Sequence, residues 1–303
     1  RGLGDVYKRQ PYRGVIPVKI VTMLNDGQEQ VGILSEDGKS VIPANKYADM
    51  PDLMAHSDFE ELLAISRMGV AAVPIERVKI LAPITEPAND IICLGINYAS
   101  HDEELPQEYT EEKIQKRDVP VYFSKRVTRC VDPDGAIDGH FDIVSKLDYE
   151  CELAVIIGKD CKDVSEKEAP DYIFGYTILN DVTARDVQTA HKQWYFGKSL
   201  DHFAPMGPVI VTAEEFAFPP QLTITCRVNG ELRQQDNTRN LVHSIAYIIS
   251  ELSHGMTLRC GTIISTGTPA GTGVGMNPPQ YLKRGDVVEC EIEGIGVLRN
   301  TVK

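Results

Sequence analysis

Two glutamates stand at the entrance of a short apolar segment. Glu150 and Glu152 lie just before residues 153–157, an apolar and partly β-branched run that we predict to be a buried strand. Side chains two residues apart on a strand point to the same face, so both carboxylates are aimed at one spot. Two like charges held so close need a cation. The alternative is that the pair lies on the solvated face of an edge strand.

A third carboxylate follows at the end of the next apolar segment. Residues 172–179 predict a second buried strand, and Asp181 comes shortly after it. Three carboxylates at strand ends make a hard, all-oxygen site, which suits Mg²⁺, Mn²⁺ or Ca²⁺ rather than Zn²⁺. Cys151 stands between the two glutamates but points to the opposite face of the strand. We therefore expect Cys151 to be packed and not to bind a metal.

His101 and Glu104 have the spacing of a general-base pair. Residues three apart are neighbours on one face of a helix, so Glu104 could hold the imidazole tautomer while His101 takes a proton from water. Histidine titrates close to neutral pH, which suits this step. The alternative is that the acidic run at residues 102–104 belongs to a solvated surface. Glu103 could also take the place of Glu104.

Further polar residues could meet a substrate near the carboxylates. If a helix or turn opens at Asp181, Arg185 and Gln188 follow at offsets of four and three and point into the same pocket. Lys198, in the tripeptide Gly-Lys-Ser, could place a compact positive charge beside a carboxylate or a developing enolate. The alternatives are a helix-capping aspartate with a surface ion pair, and a solvated loop lysine.

These segments form an ordered set along the chain. It comprises residues 95–104, 150–152, 180–188, 197–199 and 265–271. The set resembles the fumarylacetoacetate hydrolase family over roughly residues 89–303, and several motifs in one order are far more specific than any single motif. The resemblance implies a mostly β, α+β fold, with a mixed β-sandwich or rolled β catalytic domain. It also implies a protein that is usually a homodimer.

The resemblance also implies roles for individual residues. Asn97, Tyr98, His101 and Glu104 match the family pattern N-Y-x-x-H-x-x-E, which implies a catalytic His101–Glu104 pair with Tyr98 at the substrate. Lys198 would be the third catalytic residue. The metal ligands would be Glu150, Glu152 and Asp181. The other substrate-binding residues would be Lys125, Arg185, Gln188 and Thr268.

Composition argues against several classes of protein. A formal charge of −13 without a long basic block makes nucleic acid or an anionic membrane a poor partner. The apolar runs are far shorter than the roughly 20 residues that span a bilayer, so we expect a soluble, cytoplasmic protein. The seven cysteines are never spaced C-x-x-C, which predicts reduced thiols and neither a disulfide framework nor a zinc knuckle.

The elements that must position these residues are short strands separated by Gly, Pro and Asp turns. Residues 1–10 resemble a translated cloning adapter and are left out of the fold prediction. We predict a small β-rich N-terminal domain at 11–72, a linker at 73–88 and the catalytic domain at 89–303. Strands are predicted at 15–24, 31–35, 91–94, 119–123, 153–157, 172–179, 209–212, 222–228, 262–266 and 287–292.

Helical segments are few. Apolar spacing predicts helices at 51–67 and 243–252, and residues 97–105 are expected to begin a short helix or lid. The polar segment 105–117 is the best candidate for a mobile flap. We expect the histidines without a partner pattern to be structural, namely His56, His140, His191, His202, His243 and His254.

The sequence predicts a metal-dependent hydrolase that cleaves a carbon–carbon bond in acylpyruvates, which are 2,4-dioxo acids, through an enolate. Mg²⁺ is the expected ion, with Mn²⁺ or Ca²⁺ possible, and the partner is a small anionic 2-oxo acid. Decarboxylation, isomerisation or hydration of 2-oxo dicarboxylic acids could use the same site. A member of a different class, a metal-bound scaffold that binds an oxo acid without turnover, would need no base.

Overall fold

The computed structural model of the chain describes residues 18–68, 72–106 and 119–303. Strands dominate these residues, which confirms the mostly β prediction. The predicted leader at 1–10 and most of the predicted flap at 105–117 lie outside the described residues. Among the helices that are described, none is long and apolar enough to cross a membrane.

Each predicted strand overlaps an observed one. The strands are β1 (Lys19–Asn25), β2 (Gln28–Leu34), β3 (Ser40–Pro43), β4 (Val73–Pro74), β5 (Lys79–Leu81), β6 (Ile91–Gly95), β7 (Val121–Lys125), β8 (Ala136–Ile137), β9 (Leu147–Asp148), β10 (Cys151–Ile157), β11 (Ile173–Asn180), β12 (Thr183–Ala184), β13 (Met206–Thr212), β14 (Thr223–Val228), β15 (Glu231–Asn237), β16 (Ile263–Ser265), β17 (Val287–Ile292) and β18 (Gly296–Val302). The helices are α1 (Met50–His56), α2 (Phe59–Ser66), α3 (Ala99–Glu104), α4 (Arg185–Ala190), α5 (Tyr195–Lys198) and α6 (Ile245–Gly255).

The strands that the structure describes form one large sheet, one smaller sheet and a short ribbon. The large sheet runs in the order β4-β3-β2-β1-β13-β11-β10-β16-β6-β7, with β5 beside β1. The second sheet runs β15-β14-β17-β18-β8, and β9 pairs with β12. Most pairs are antiparallel, but β16 runs parallel to β6. This mixed arrangement agrees with the predicted fold class.

Strand β10 lies at the centre of the large sheet and is buried on both faces. Leu153 and Val155 pack into the apolar core that also contains β14 and β17 side chains, whereas Ala154 and Ile156 pack into a second core with α1 and α2. Burial on both faces explains why this segment reads as a continuous apolar run and does not alternate. Cys151 enters the first core, as the alternation along the strand predicts.

The prediction of one helix over residues 51–67 is wrong, because the segment forms α1 and α2. Asp58 begins the second helix, and its side chain accepts a hydrogen bond of 2.8 Å from the backbone N–H of Glu61. An aspartate that caps a helix in this way fixes an extended backbone at its own position, which interrupts the first helix. Both helices keep the predicted apolar face, and Leu53 and Leu62 are buried in the same core.

The N-terminal strands belong to the same sheet as the catalytic strands. Strand β1 pairs with β13 through Lys19 with Val211 and Ile20 with Ile210. Backbone hydrogen bonding therefore continues across the predicted boundary between residues 72 and 73. The division of the chain into an N-terminal domain, a linker and a catalytic domain stays a prediction.

Candidate metal centre and active site

The pairing of β10 with β11 brings the three predicted metal ligands together. Glu152 lies opposite Leu179, and the backbone N–H of Asp181 donates to the carbonyl of Glu150 at 2.8 Å. Glu150, Glu152 and Asp181 each offer a carboxylate oxygen, and these atoms lie within 4.8 Å of one another. All three side chains are buried. The alternative of a solvated edge strand is therefore wrong.

Glu152 is the most strongly constrained of the three carboxylates. Its Oε2 accepts hydrogen bonds from the Ser265 hydroxyl at 2.5 Å and from the Gly267 N–H at 3.0 Å. Burial, followed by the negative charges of Asp181 and Glu150, raises the pKa of Glu152 well above its usual value. Ionisation of this side chain therefore requires additional positive charge nearby.

Lys198 bridges the other two carboxylates. Its Nζ lies 2.7 Å from Glu150 Oε2 and 2.6 Å from Asp181 Oδ2, and the side chain is buried. Arg185 also lies 2.7 Å from Glu150, through Nη2 and Oε1. Burial opposes ionisation of Glu150, but these two cations outweigh it and hold the pKa of that carboxyl at about 2. The interpretation of Lys198 as a solvated loop lysine is therefore wrong.

A second lysine, Lys125, also contacts Asp181. It is fully buried, and its Nζ lies 2.7 Å from Asp181 Oδ1. It also donates to the carbonyl of Val182 at 3.0 Å and to the carbonyl of Lys198. Lys125 thus fixes both the third predicted metal ligand and the backbone of the bridging lysine.

Asp148 is a buried site residue to which the sequence analysis gave no role. Its Oδ2 accepts from Arg185 Nε at 2.9 Å, and its Oδ1 accepts from the Gly273 N–H at 2.7 Å. The same two-residue spacing that selected Glu150 and Glu152 also includes Asp148. The sequence therefore contained the spacing that marks Asp148, but Asp148 belongs to the short strand β9, which ends before β10 begins.

The donor set fits a hard divalent cation. Four buried carboxylates (Asp148, Glu150, Glu152 and Asp181) face three buried cations (Lys125, Arg185 and Lys198). With every group ionised the cluster carries one net negative charge, and a divalent ion would make it one net positive charge. The three ligand groups that converge are all carboxylates, which favours Mg²⁺, Mn²⁺ or Ca²⁺. An anionic substrate would then be attracted to the loaded site.

Arg185 and Gln188 lie on one face of α4, as their spacing predicts. Arg185 Nη1 donates to Gln188 Oε1 at 3.3 Å, and both side chains are buried. Asp181 is not part of this helix, because the chain first forms the extended strand β12. The sequence left a helix or a turn open at Asp181; the helix begins at Arg185, and all three residues lie around the same cluster. The alternative of a surface ion pair for Arg185 is wrong.

His101 and Glu104 form the predicted pair on α3. The Nδ1 atom of His101 lies 2.7 Å from Glu104 Oε1. The carboxylate also accepts from the Gly271 N–H at 2.7 Å and from the Thr272 hydroxyl at 2.8 Å. Burial would raise the pKa of Glu104, but the bonds from His101, Gly271 and Thr272 outweigh it and lower that pKa. Glu103 is exposed and does not replace Glu104.

The ionised Glu104 carboxylate determines which nitrogen of His101 carries the hydrogen. A carboxylate only accepts hydrogen bonds, so Nδ1 must be the donor. In the neutral ring Nε2 then holds the free electron pair, which is the form that can act as a base. His101 is buried and lines the same pocket as Glu150 and Glu152.

This pocket combines charged and apolar walls. Its polar lining is formed by His101, Glu150, Glu152, Arg185, Gln188, Lys198 and Thr268. Its other lining residues are Leu94, Gly95, Ile96, Leu105, Phe123 and Trp194. Limited access to water strengthens every charge interaction inside such a pocket.

Three residues predicted to bind substrate have other contacts. The Thr268 hydroxyl lines the pocket, but it donates to the Cys151 carbonyl at 2.9 Å and accepts from Gln234 Nε2 at 2.7 Å. Tyr98 is buried and forms a β-bridge with Leu241, and neither it nor Lys125 belongs to the described pocket lining. Substrate contact by these three residues stays a prediction. Gln234, which no motif marked, orients Thr268.

Comparison with known proteins is consistent with this geometry. A family model described as "Fumarylacetoacetate (FAA) hydrolase C-terminal" matches residues 90–303. "Oxaloacetate tautomerase YisK" of Bacillus subtilis is 43% identical over 235 residues, covering 78% of this chain and 76% of the relative. The rat protein "Oxaloacetate tautomerase Fahd2a, mitochondrial" is 38% identical over 283 residues, covering 91% and 88%.

Solved structures show the same fold over nearly the whole chain. A fumarylacetoacetate hydrolase from Exiguobacterium antarcticum aligns with a TM-score of 0.78 and 37% identity, covering 94% of this chain and 99% of that one. A 2-hydroxyhepta-2,4-diene-1,7-dioate isomerase from Mycobacterium marinum aligns with a TM-score of 0.72 and 30% identity, covering 94% and 98%. The chain therefore belongs to the fumarylacetoacetate hydrolase family and is an enzyme of that family.

Proposed function

We propose that this enzyme interconverts the keto and enol forms of oxaloacetate or a closely related 2-oxo dicarboxylic acid. The observation that carries the proposal is the fixed tautomer of His101, which leaves Nε2 as a base in the same pocket as a buried carboxylate cluster. Two of the relatives compared above are named oxaloacetate tautomerases. Isomerisation of a 2-oxo dicarboxylic acid was one of the activities that the sequence left open.

The proposed metal site consists of Glu150, Glu152 and Asp181, with Mg²⁺ as the expected ion and Mn²⁺ or Ca²⁺ as alternatives. A bound divalent ion supplies Lewis-acid stabilisation of negative charge on substrate oxygens. Binding of the ion would displace the Lys198 ammonium from its two carboxylate partners toward that charge, while Lys125 holds the Lys198 backbone in place. Arg185 and Gln188 line the pocket and would bind a substrate carboxylate.

The proton transfer follows from the geometry of His101. Its Nε2 removes a proton from the carbon between the 2-oxo group and the distal carboxylate. The electron pair of that C–H bond forms the carbon–carbon double bond, and the π pair of the 2-oxo group moves to its oxygen, where the positive charge of Lys198 stabilises it. Return of the proton to this oxygen gives the enol, so no atom is gained or lost. The reverse reaction uses the same groups in the opposite order.

A second candidate is hydrolysis of an acylpyruvate, which the His101–Glu104 pair also suits. Here His101 would take a proton from water, and the hydroxide would attack the distal carbonyl. The carbon–carbon bond then breaks, and its electron pair leaves as the pyruvate enolate, which is protonated to pyruvate. The same pair of residues thus serves both reactions, and the substrate decides between them.

The experiment compares three readouts on one purified, metal-loaded sample. Ultraviolet absorbance follows the enol of oxaloacetate, lactate dehydrogenase with NADH detects pyruvate, and an acylpyruvate panel tests hydrolysis. Tautomerisation predicts faster relaxation of the enol signal than in buffer, with no pyruvate above background and complete loss on chelation. Pyruvate release at the rate of enol decay would instead indicate decarboxylation. The homodimer that the family resemblance implies is tested by light scattering on the same sample.

A further inference from the structure

A second group of metal-type ligands lies outside the pocket. Asp138, His140 and His202 each offer one ligand atom, and these atoms lie within 4.8 Å of one another. Asp138 and His140 directly follow β8, whereas His202 lies in the loop after α5. Asp138 and His140 are half-buried and His202 is exposed, so an ion can enter from solvent. We name these three residues the loop cluster.

The ring of His140 has one nitrogen bound to a backbone carbonyl. Its Nε2 lies 2.9 Å from the backbone carbonyl of Asp201. A carbonyl oxygen only accepts, so Nε2 carries the hydrogen and the neutral ring holds its free electron pair on Nδ1. Histidines that bind metals usually donate their other N–H to a carbonyl or carboxylate in this manner. Edge-on packing against Phe203, with ring centroids 5.7 Å apart, also fixes the ring.

Both histidines of the loop cluster have a left-handed backbone. The φ angles are +45° for His140 and +64° for His202. Few residues other than glycine adopt this conformation, and such residues concentrate at functional sites. Both histidines of the loop cluster share this uncommon backbone. The structural role that the sequence predicts for both stays a prediction.

Asp138 provides the negative charge of the loop cluster. The backbone N–H of His140 donates to Asp138 Oδ1 at 3.2 Å. An aspartate side chain is ordinarily ionised at neutral pH, so this carboxylate is available to a cation.

We propose that Asp138, His140 and His202 bind a transition-metal dication such as Zn²⁺, Co²⁺ or Ni²⁺. Two imidazoles and one carboxylate suit these ions, whereas the carboxylate cluster of the pocket suits Mg²⁺. Two ligands at about 2.1 Å from one ion can be at most about 4.2 Å apart. Ligand atoms that lie within 4.8 Å of one another therefore need to move only slightly closer together. The exposed side chain of His202 can supply that movement. Three protein ligands leave a coordination position for water.

A bound ion would join two segments that are distant in sequence. It would attach the loop that follows Lys198 to the edge strand β8, which pairs with the C-terminal strand β18. Phe203, next to His202, is buried, and Lys125 Nζ lies 5.8 Å from its ring centroid. An ion bound at the loop cluster would therefore hold the segment 199–203 in place beside the two buried lysines, Lys125 and Lys198. It would add stability without taking part in proton transfer.

The test is a Co²⁺ titration of the full chain in excess Mg²⁺, followed by visible absorbance and calorimetry. The variants are His202→Asn, in which asparagine tolerates the left-handed backbone and removes the imidazole, and Asp138→Asn, which removes the charge. The matched control is His254→Asn, an exposed histidine with one acidic neighbour, Asp163, at 3.6 Å. Circular dichroism without metal verifies that each variant is folded.

We expect wild type and His254→Asn to bind one Co²⁺ with absorbance typical of imidazole ligands. The His202→Asn and Asp138→Asn variants should bind it at least about tenfold more weakly. A Glu152→Gln variant should keep this Co²⁺ site, which separates the result from the proposed function. Equal Co²⁺ affinity in wild type and His202→Asn, or a site lost with Glu152→Gln alone, would overturn the proposal.

Discussion

Replacement of Glu104 by glutamine tests how the proposed base is prepared. The carboxylate accepts from His101 Nδ1, the Gly271 N–H and the Thr272 hydroxyl. Glutamine has one accepting oxygen and one donating NH₂ group. If its oxygen faces Gly271, its NH₂ faces Nδ1, and His101 must carry its hydrogen on Nε2. If its oxygen faces His101, two donors confront each other at Gly271.

The magnitude follows from the interactions that are lost. In the first orientation the base is blocked, and general-base catalysis contributes about 10²–10⁴-fold to a rate. In the second, loss of a hydrogen bond to a charged group costs about 1.5–3 kcal/mol, or roughly 10–150-fold. We therefore expect kcat to fall at least about tenfold, and by about 10²-fold or more if the first orientation is adopted. KM should change little, because Glu104 is not among the described residues that line the pocket.

The assay is steady-state tautomerisation of oxaloacetate with saturating Mg²⁺. The matched control is Glu103→Gln, which removes the same charge from an exposed position on the same helix. Its kcat should stay within about twofold of wild type. A Glu104→Gln enzyme with more than about a third of wild-type kcat would refute the assignment of His101 as a base oriented by Glu104.

Three further predictions concern the metal, the buried charges and the packing. Because the pKa of Glu152 is raised, this side chain keeps its proton to a higher pH in the metal-free folded state than in the unfolded state. The contribution of Glu152 to stability therefore falls as the pH rises above about 4.3, the ordinary pKa of a glutamate. The gain in melting temperature on adding Mg²⁺ should be larger at pH 8 than at pH 5. Asp148→Asn removes one of the two carboxylate partners of the buried Arg185 guanidinium and should lower the free energy of unfolding by about 1.5–3 kcal/mol in urea titrations, whereas less than about 1 kcal/mol would contradict the buried network. In Gly275→Ala the new Cβ would lie 2.2 Å from Glu104 Cδ, so kcat should fall about tenfold or more, whereas Gly255→Ala, with no atom within 4 Å, should leave it unchanged.

Local patterns in the sequence were sufficient for the ten predicted strands, each of which overlaps an observed one, and for the carboxylate trio. Alternation along β10 correctly placed Glu150 and Glu152 on one face and Cys151 on the other, because strand geometry has a fixed period. The position of Asp181 followed from the ends of adjacent strands. The hairpin of β14 and β15 was missed, although Asn229 and the glycine after it, both with positive φ, are a typical hairpin signal.

Contacts between distant segments could not be predicted in the same way. No spacing rule relates Lys198 to Glu150, or Lys125 to Asp181, because these pairs form only when separate elements pack together. The same is true of the loop cluster, where His140 and His202 carry no motif. The break between α1 and α2 was a local signal, a capping aspartate, which the apolar periodicity across it concealed.

The central claim, that one divalent ion binds between β10 and β11, is tested most directly by a crystal structure of the enzyme grown with Mn²⁺. The anomalous difference map should show a peak in contact with one oxygen each of Glu150, Glu152 and Asp181. The Lys198 ammonium should be displaced from its place between Glu150 and Asp181. A map without a peak there, with Lys198 still bridging the two carboxylates at saturating Mn²⁺, would contradict the account.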